Sequence, residues 1–179
     1  MKDRKPLFAV AALLCAWSGL AVSANPSPAA QSFVEQAAQT GMMEVELGKV
    51  AMTKSNNMDI RTFGARMVQD HGKANAALEA AARGAGIRAP TALDAEHRAI
   101  VDDLKAKSGA AFDAAYVRQM EDDHAKAVDL FKVVAASASD LGPSLSGFAN
   151  KTLPTLVEHK KMADDLFVGR PLQPATTPH

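Results

Sequence analysis

The sequence predicts an all-α protein, a bundle of four long helices with an extra short helix in the crossover between the second and third. Three observations carry this. The chain is 47% apolar but only 5% aromatic, so Ala, Leu, Val and Met must build its core. An Ala-rich, Met-containing composition of this kind favours helices. Apolar positions recur at three- and four-residue steps through five stretches, and no stretch shows the two-residue alternation of a strand.

The first residues read as a secretory signal. Lys2, Arg4 and Lys5 form a positive start, and Leu7 to Val22 is an apolar run of 16 residues. A membrane-spanning helix needs about 20. Val22-Ser23-Ala24 supplies small residues for cleavage after Ala24, so residues 1–24 are expected to be removed on export to the periplasm. The only Cys, Cys15, leaves with them. Without it the chain has neither a disulfide nor thiolate chemistry. The remaining 17 basic and 19 acidic residues give a net charge of −2. No basic field exists to hold nucleic acid.

Residues 25–30 (NPSPAA) are expected to be a flexible lead-in to a bundle over 31–168. The first helix, from Gln31 to about Ser55, carries the stripe Phe33, Ala37, Thr40, Glu44, Leu47 and Ala51. Ser55-Asn56-Asn57 breaks it. The second runs from Met58 to about Ala85 with Ile60, Phe63, Met67, His71, Ala74 and Leu78 in line, and ends at Gly86 and Pro90. A short helix over 92–107 turns Leu93, Ile100, Val101 and Leu104 inward. The next long helix, 110–138, aligns Phe112, Tyr116, Met120, His124, Ala127, Phe131 and Val134. Pro143 suits the start of the last helix, whose stripe includes Leu145, Phe148, Leu156, His159 and Ala163. Pro154 is expected to kink that helix or split it. The Pro-rich segment 169–179 is expected to be a loose tail.

Glu44, His71, His124 and His159 thus fall on the inward stripes of the four long helices. Glu44 and His71 lie at similar distances from the turn that joins their helices, about 20 Å at ~1.5 Å rise per residue. His124 and His159 are likewise near mid-helix, so all four can meet in one layer. Bundle cores build metal sites from facing helices in this way. Glu121 adds a candidate, because Glu121 and His124 form Glu-x-x-His on one helix face. Each inward His also follows an acid: Asp70, Asp123 or Glu158. Adjacent helical residues point about 100° apart. That acid is therefore a flanking ligand, a partner behind the imidazole, or a solvated charge. Met67, Met120 and Met162 lie three or four residues from a His, which would suit copper(I), although Met is also an ordinary core filler. His97 is expected at the surface, and there is no Gly-x-Ser-x-Gly elbow or phosphate-cradling loop.

The segments GMMEVELGKVA (41–51), FGARMVQDHGKAN (63–75), SGAAFDAAYVRQMEDDHAKAVDLF (108–131) and FANKTLPTLVEHKKMADDLF (148–167) resemble the domain-of-unknown-function family numbered 4142. The resemblance spans about residues 30–168. It implies an exported bacterial protein, of a kind often labelled predicted outer-membrane protein, with a ferritin-like four-helix bundle. It implies no activity. The chain departs from ferritin-type di-iron sites, which place Glu-x-x-His on two helices. Val68 and Leu156 stand three residues before His71 and His159. A histidine-rich mononuclear site or a metal-free polar layer fits better.

The leading expectation is a transition metal (zinc, iron or copper) bound by His71, His124 and His159, with Glu44 or Glu121 as an oxygen ligand, for sequestration or stress protection rather than turnover. The alternative is a metal-free protein of the cell envelope that engages a protein partner, its histidines forming a buried hydrogen-bonded layer.

Overall fold

A computed structural model describes residues 25–172. These form α1 (Pro28–Lys54), α2 (Met58–Gly84), α3 (Ala95–Ala106), α4 (Gly109–Ala136), α5 (Ala138–Leu141) and α6 (Pro143–Phe167), with no strand among the described residues. The expected signal segment lies outside the described residues.

Helix α1 starts three residues earlier than Gln31. Ser27 caps it, its hydroxyl accepting from the Ala30 N–H at 3.1 Å, and Pro28 fits the first turn, where no N–H is needed. Ala30 is buried. The lead-in is therefore shorter than the sequence suggested. Asn57 caps α2 by accepting from the N–H groups of Asp59 and Ile60. Gly142, at φ 83°, turns the chain from α5 into Pro143. Helix α6 continues through Pro154 without splitting. The tail is anchored as far as Leu172. The Arg170 N–H donates to the Asp165 carbonyl at 2.7 Å, and Leu172 packs on the core.

Helix α1 packs along α2, and α4 along α6, with the pairs joined through α2–α6 and α1–α4 contacts. Two apolar clusters result. One gathers Phe33, Leu78, Phe131 and Phe148 from the start of α1, the end of α2, the end of α4 and the start of α6. The other gathers Leu47, Phe63, Phe112 and Ala163 from the opposite ends. Helices α2 and α4 therefore run in the same direction, and residues 85–108 must return along the bundle. Helix α3 lies in this crossover, against α1 and α4. Buried Gln39 fastens its beginning, donating to the Ala92 carbonyl at 3.2 Å and accepting from the Asp94 N–H at 2.9 Å. The Lys54 ammonium fastens its end, donating to the carbonyls of Lys105 and Lys107.

Helices α1 and α2 touch at Gly48 and Gly64. A Cβ on Gly48 would stand 2.6 Å from the Gly64 carbonyl oxygen, and one on Gly64 would stand 2.8 Å from that of Gly48. Only glycine permits backbones this close. The contact lies one turn from Glu44 and two from His71, and it sets the spacing that brings those side chains together.

Candidate metal centre

Between the two apolar clusters lies a polar layer. Glu44 comes from α1, His71 from α2, His124 from α4 and His159 from α6. Their exposures are 1%, 6%, 0% and 0%. One ring nitrogen of each histidine lies within 4.8 Å of the others. The ring centres are 5.6 Å (His71–His124), 5.3 Å (His71–His159) and 5.4 Å (His124–His159) apart. An ion held about 2.0–2.1 Å from one nitrogen of each ring would space the centres about 5.2–5.5 Å apart. The ring centres of the three imidazoles thus have the spacing of a site that holds one metal ion.

Their partners fix the protons. A neutral imidazole has one donor and one acceptor nitrogen. His124 Nδ1 lies 2.8 Å from the Met120 carbonyl oxygen, which can only accept, so Nδ1 carries the hydrogen. His71 Nδ1 donates to Glu44 Oε2 at 3.0 Å. His159 Nε2 donates to Asp70 Oδ2 at 3.1 Å. The remaining nitrogens, His71 Nε2, His124 Nε2 and His159 Nδ1, are buried and have no hydrogen-bond partner. In the neutral rings each is a lone pair. Each such buried orphan costs about 1–3 kcal/mol. One water has two hydrogens and cannot satisfy three acceptors. A cation with vacant orbitals accepts all three.

The electrostatics agree. Burial works to raise the Glu44 carboxyl, but the charge and hydrogen bond of His71, with His124 and His159 behind it, hold it at about 2. Burial lowers His124 to about 4, and it also depresses His159. His71 goes the other way, because Glu44 outweighs the effect of burial. Asp70 falls well below the ordinary carboxylate range, chiefly through its hydrogen bond with His159 and despite its partial burial, with Arg66 adding to the effect. The layer thus offers two imidazoles held neutral, a third whose hold on a proton Glu44 strengthens, and two ionised carboxylates.

The family described as a domain of unknown function (DUF4142) matches residues 18–166, which takes in all of the helices but the last residue of α6, and all four residues of the layer. The chain belongs to this family. No curated protein and no solved structure matches it.

In this DUF4142 chain the structure brings together four of the five residues singled out in the sequence. Glu121 is not among them. It is half-buried on α4, and its charge acts on the Lys160 ammonium of α6, whereas Glu44 and Asp70 are the acids acting on the imidazoles. Glu44 stands behind the rings. Its Oε2 and Oε1 face the Nδ1 atoms of His71 and His124, at 3.0 and 3.5 Å, on the side away from their free nitrogens. It orients two imidazoles and is not placed as an oxygen ligand. Asp70 is the partner that spacing alone left undecided. It precedes His71 but serves His159, a pairing across helices that no single-helix pattern encodes. Glu158 instead pairs with Arg66, and Asp123 accepts from Gln119 at 2.9 and 3.0 Å. Met67 and Met120 belong to the buried cluster beside the layer, and Met162 packs against it, so all three serve as core fillers. His97 is half-buried and bonded to its helix cap, Asp94, at 2.9 Å.

Proposed function

We propose that the protein is an exported, ferritin-like bundle that binds one transition-metal ion through His71, His124 and His159 for sequestration or stress protection. What supports this is that the three rings bring one nitrogen each within 4.8 Å of the others, and that each ring has one buried nitrogen without a partner and an acceptor at its other nitrogen. A carboxylate or carbonyl behind a ligating His is the usual support of a metal site. The ferritin-like reading rests on parallel α2 and α4 joined by one long crossover. Neutral nitrogen donors suit zinc, iron and copper alike, and three of them leave a further coordination position for solvent or a small ligand. Export to the periplasm rests on the basic start, short apolar run and Val22-Ser23-Ala24.

The test is elemental analysis of protein purified from its native compartment, followed by thermal melts with and without added ion. The expected result is one ion per chain and a higher melting temperature, both lost in the double variant His71→Ala/His124→Ala. Metal-free protein whose stability ignores zinc, iron and copper would instead favour an envelope protein with a purely hydrogen-bonded layer.

A further inference from the structure

A cavity of about 410 Å³ leads from the surface to the histidine layer. It lies between α1 and α4, beneath the start of α3. At ~30 Å³ per molecule it has room for about a dozen waters. Exposed Glu96 and Lys126 stand at its rim, buried Asp123 lies along its wall, and Glu44 and His71 form its inner end. Acids thus occur at three depths, with one Lys opposite them. Leu78 and Phe131 supply an apolar wall, which concentrates the field of the acids in the water-filled space. Glu44 and His71, the residues of the inner end, each carry a buried atom without a hydrogen-bond partner, Oε1 and Nε2. His71 is also the least buried of the three imidazoles, and the cavity reaches the layer on its side.

We propose that this cavity is the loading route for a hydrated divalent cation, which passes from Glu96 to Asp123 and then to the nitrogens behind His71. This rests on the metal-binding reading above. Asp123 touches the ion only in transit. Its carboxylate is held in place by the Gln119 amide, which donates to both oxygens. A staging carboxylate lowers the barrier for ions moving in either direction, so it changes rates far more than affinity.

The test follows Co²⁺ uptake by chelator-stripped full-length mature protein in a stopped-flow instrument, reading the visible absorption that cobalt gains on nitrogen ligation. Asp123→Asn should load about tenfold more slowly and Glu96→Gln about threefold more slowly, with dissociation slowed alongside. Equilibrium affinity should move by less than about threefold. Glu121→Gln, which removes a charge outside the cavity, should load like the wild type. The route is overturned if Asp123→Asn and Glu96→Gln load at the wild-type rate, if Glu121→Gln slows loading equally, or if affinity falls in step with the rate. Should Asp123→Asn fail to fold, Glu96→Gln at the exposed rim decides the matter alone. A wild-type protein that never gains the cobalt absorption refutes metal binding itself, whereas normal uptake with unaffected variants refutes only the route.

Discussion

Replacing His124 by Leu separates a metal site from a stabilising hydrogen-bond layer. His124 is fully buried, and its Nε2 lacks a partner. Removing that atom should recover about 1–3 kcal/mol. The change also deletes the bond from Nδ1 to the Met120 carbonyl, 2.8 Å long. Such a bond contributes about 0.5–1.5 kcal/mol. The carbonyl is not stranded, because it still accepts within α4. The difference favours Leu by about 1 kcal/mol in chelator-treated protein, or about 2–4 °C in melting temperature for a chain of this size. Leu also packs against Phe63, whose ring centre lies 6.1 Å from that of His124. With ion at a hundred times its dissociation constant, the wild type should gain about 2.7 kcal/mol and the variant nothing. The order of stability should therefore reverse between chelator and metal, as followed by helix circular dichroism during heating. A variant less stable than wild type by more than about 1 kcal/mol in chelator would refute the reasoning, because the imidazole would then be a net structural asset.

Asp70→Asn should weaken ion binding about 10–100-fold in a competition titration while leaving all three nitrogens present, because it removes the charge behind His159; unchanged affinity would mean that Asp70 does not support the site. Ion affinity should rise with pH through the neutral range, since His71, raised by Glu44, must release its proton to bind; a pH-independent titration there contradicts this. In metal-free protein the depressed groups bind fewer protons when folded than when unfolded. The stability from His124 and His159 is present above the ordinary histidine value of 6.5 and is lost as pH falls, for His124 toward about 4, while that from Glu44 is lost on approach to about 2. Asp123, raised to about 6 by burial, acts in the opposite sense over the same window. Urea midpoints measured from pH 7 to 4 should therefore fall more steeply in the wild type than in His124→Leu. Gly48→Ala should cost about 1–3 kcal/mol in urea unfolding by forcing α1 from α2, and should also weaken ion binding because Glu44 withdraws from His71; a neutral effect would mean that the close contact sets nothing.

The layer itself was legible because it depends on position along single helices. Glu44, His71, His124 and His159 each share a stripe with residues that bury Phe, Leu or Met, and their distances from the turns put them at one height. What the sequence hid is which atom meets which. Glu44 is on the inward face, so it reads as a ligand, yet the depth of α1 in the bundle puts its carboxylate behind the rings. Glu121 matches Glu-x-x-His, but the rotation of α4 that buries His124 turns it toward Lys160. Asp70 stays undecided among flanking ligand, partner behind an imidazole and solvated charge, because its partner sits 89 residues away on α6. The start of α1 was misjudged because NPSPAA reads as coil, although Ser27-Pro28 is also a cap followed by a first-turn proline. Gly48 and Gly64 gave no periodic signal, since a missing side chain leaves no mark on an apolar stripe.

The placement of the histidine layer between two oily clusters has a mechanical consequence. An ion seated there would rivet α2, α4 and α6 at chain positions 71, 124 and 159, closing loops of 53 and 35 residues. Neither cluster alone spans the polar storey that divides the molecule. Such a rivet would join two separately packed ends into one unit that opens only as a whole, much as a metal clip across long loops does.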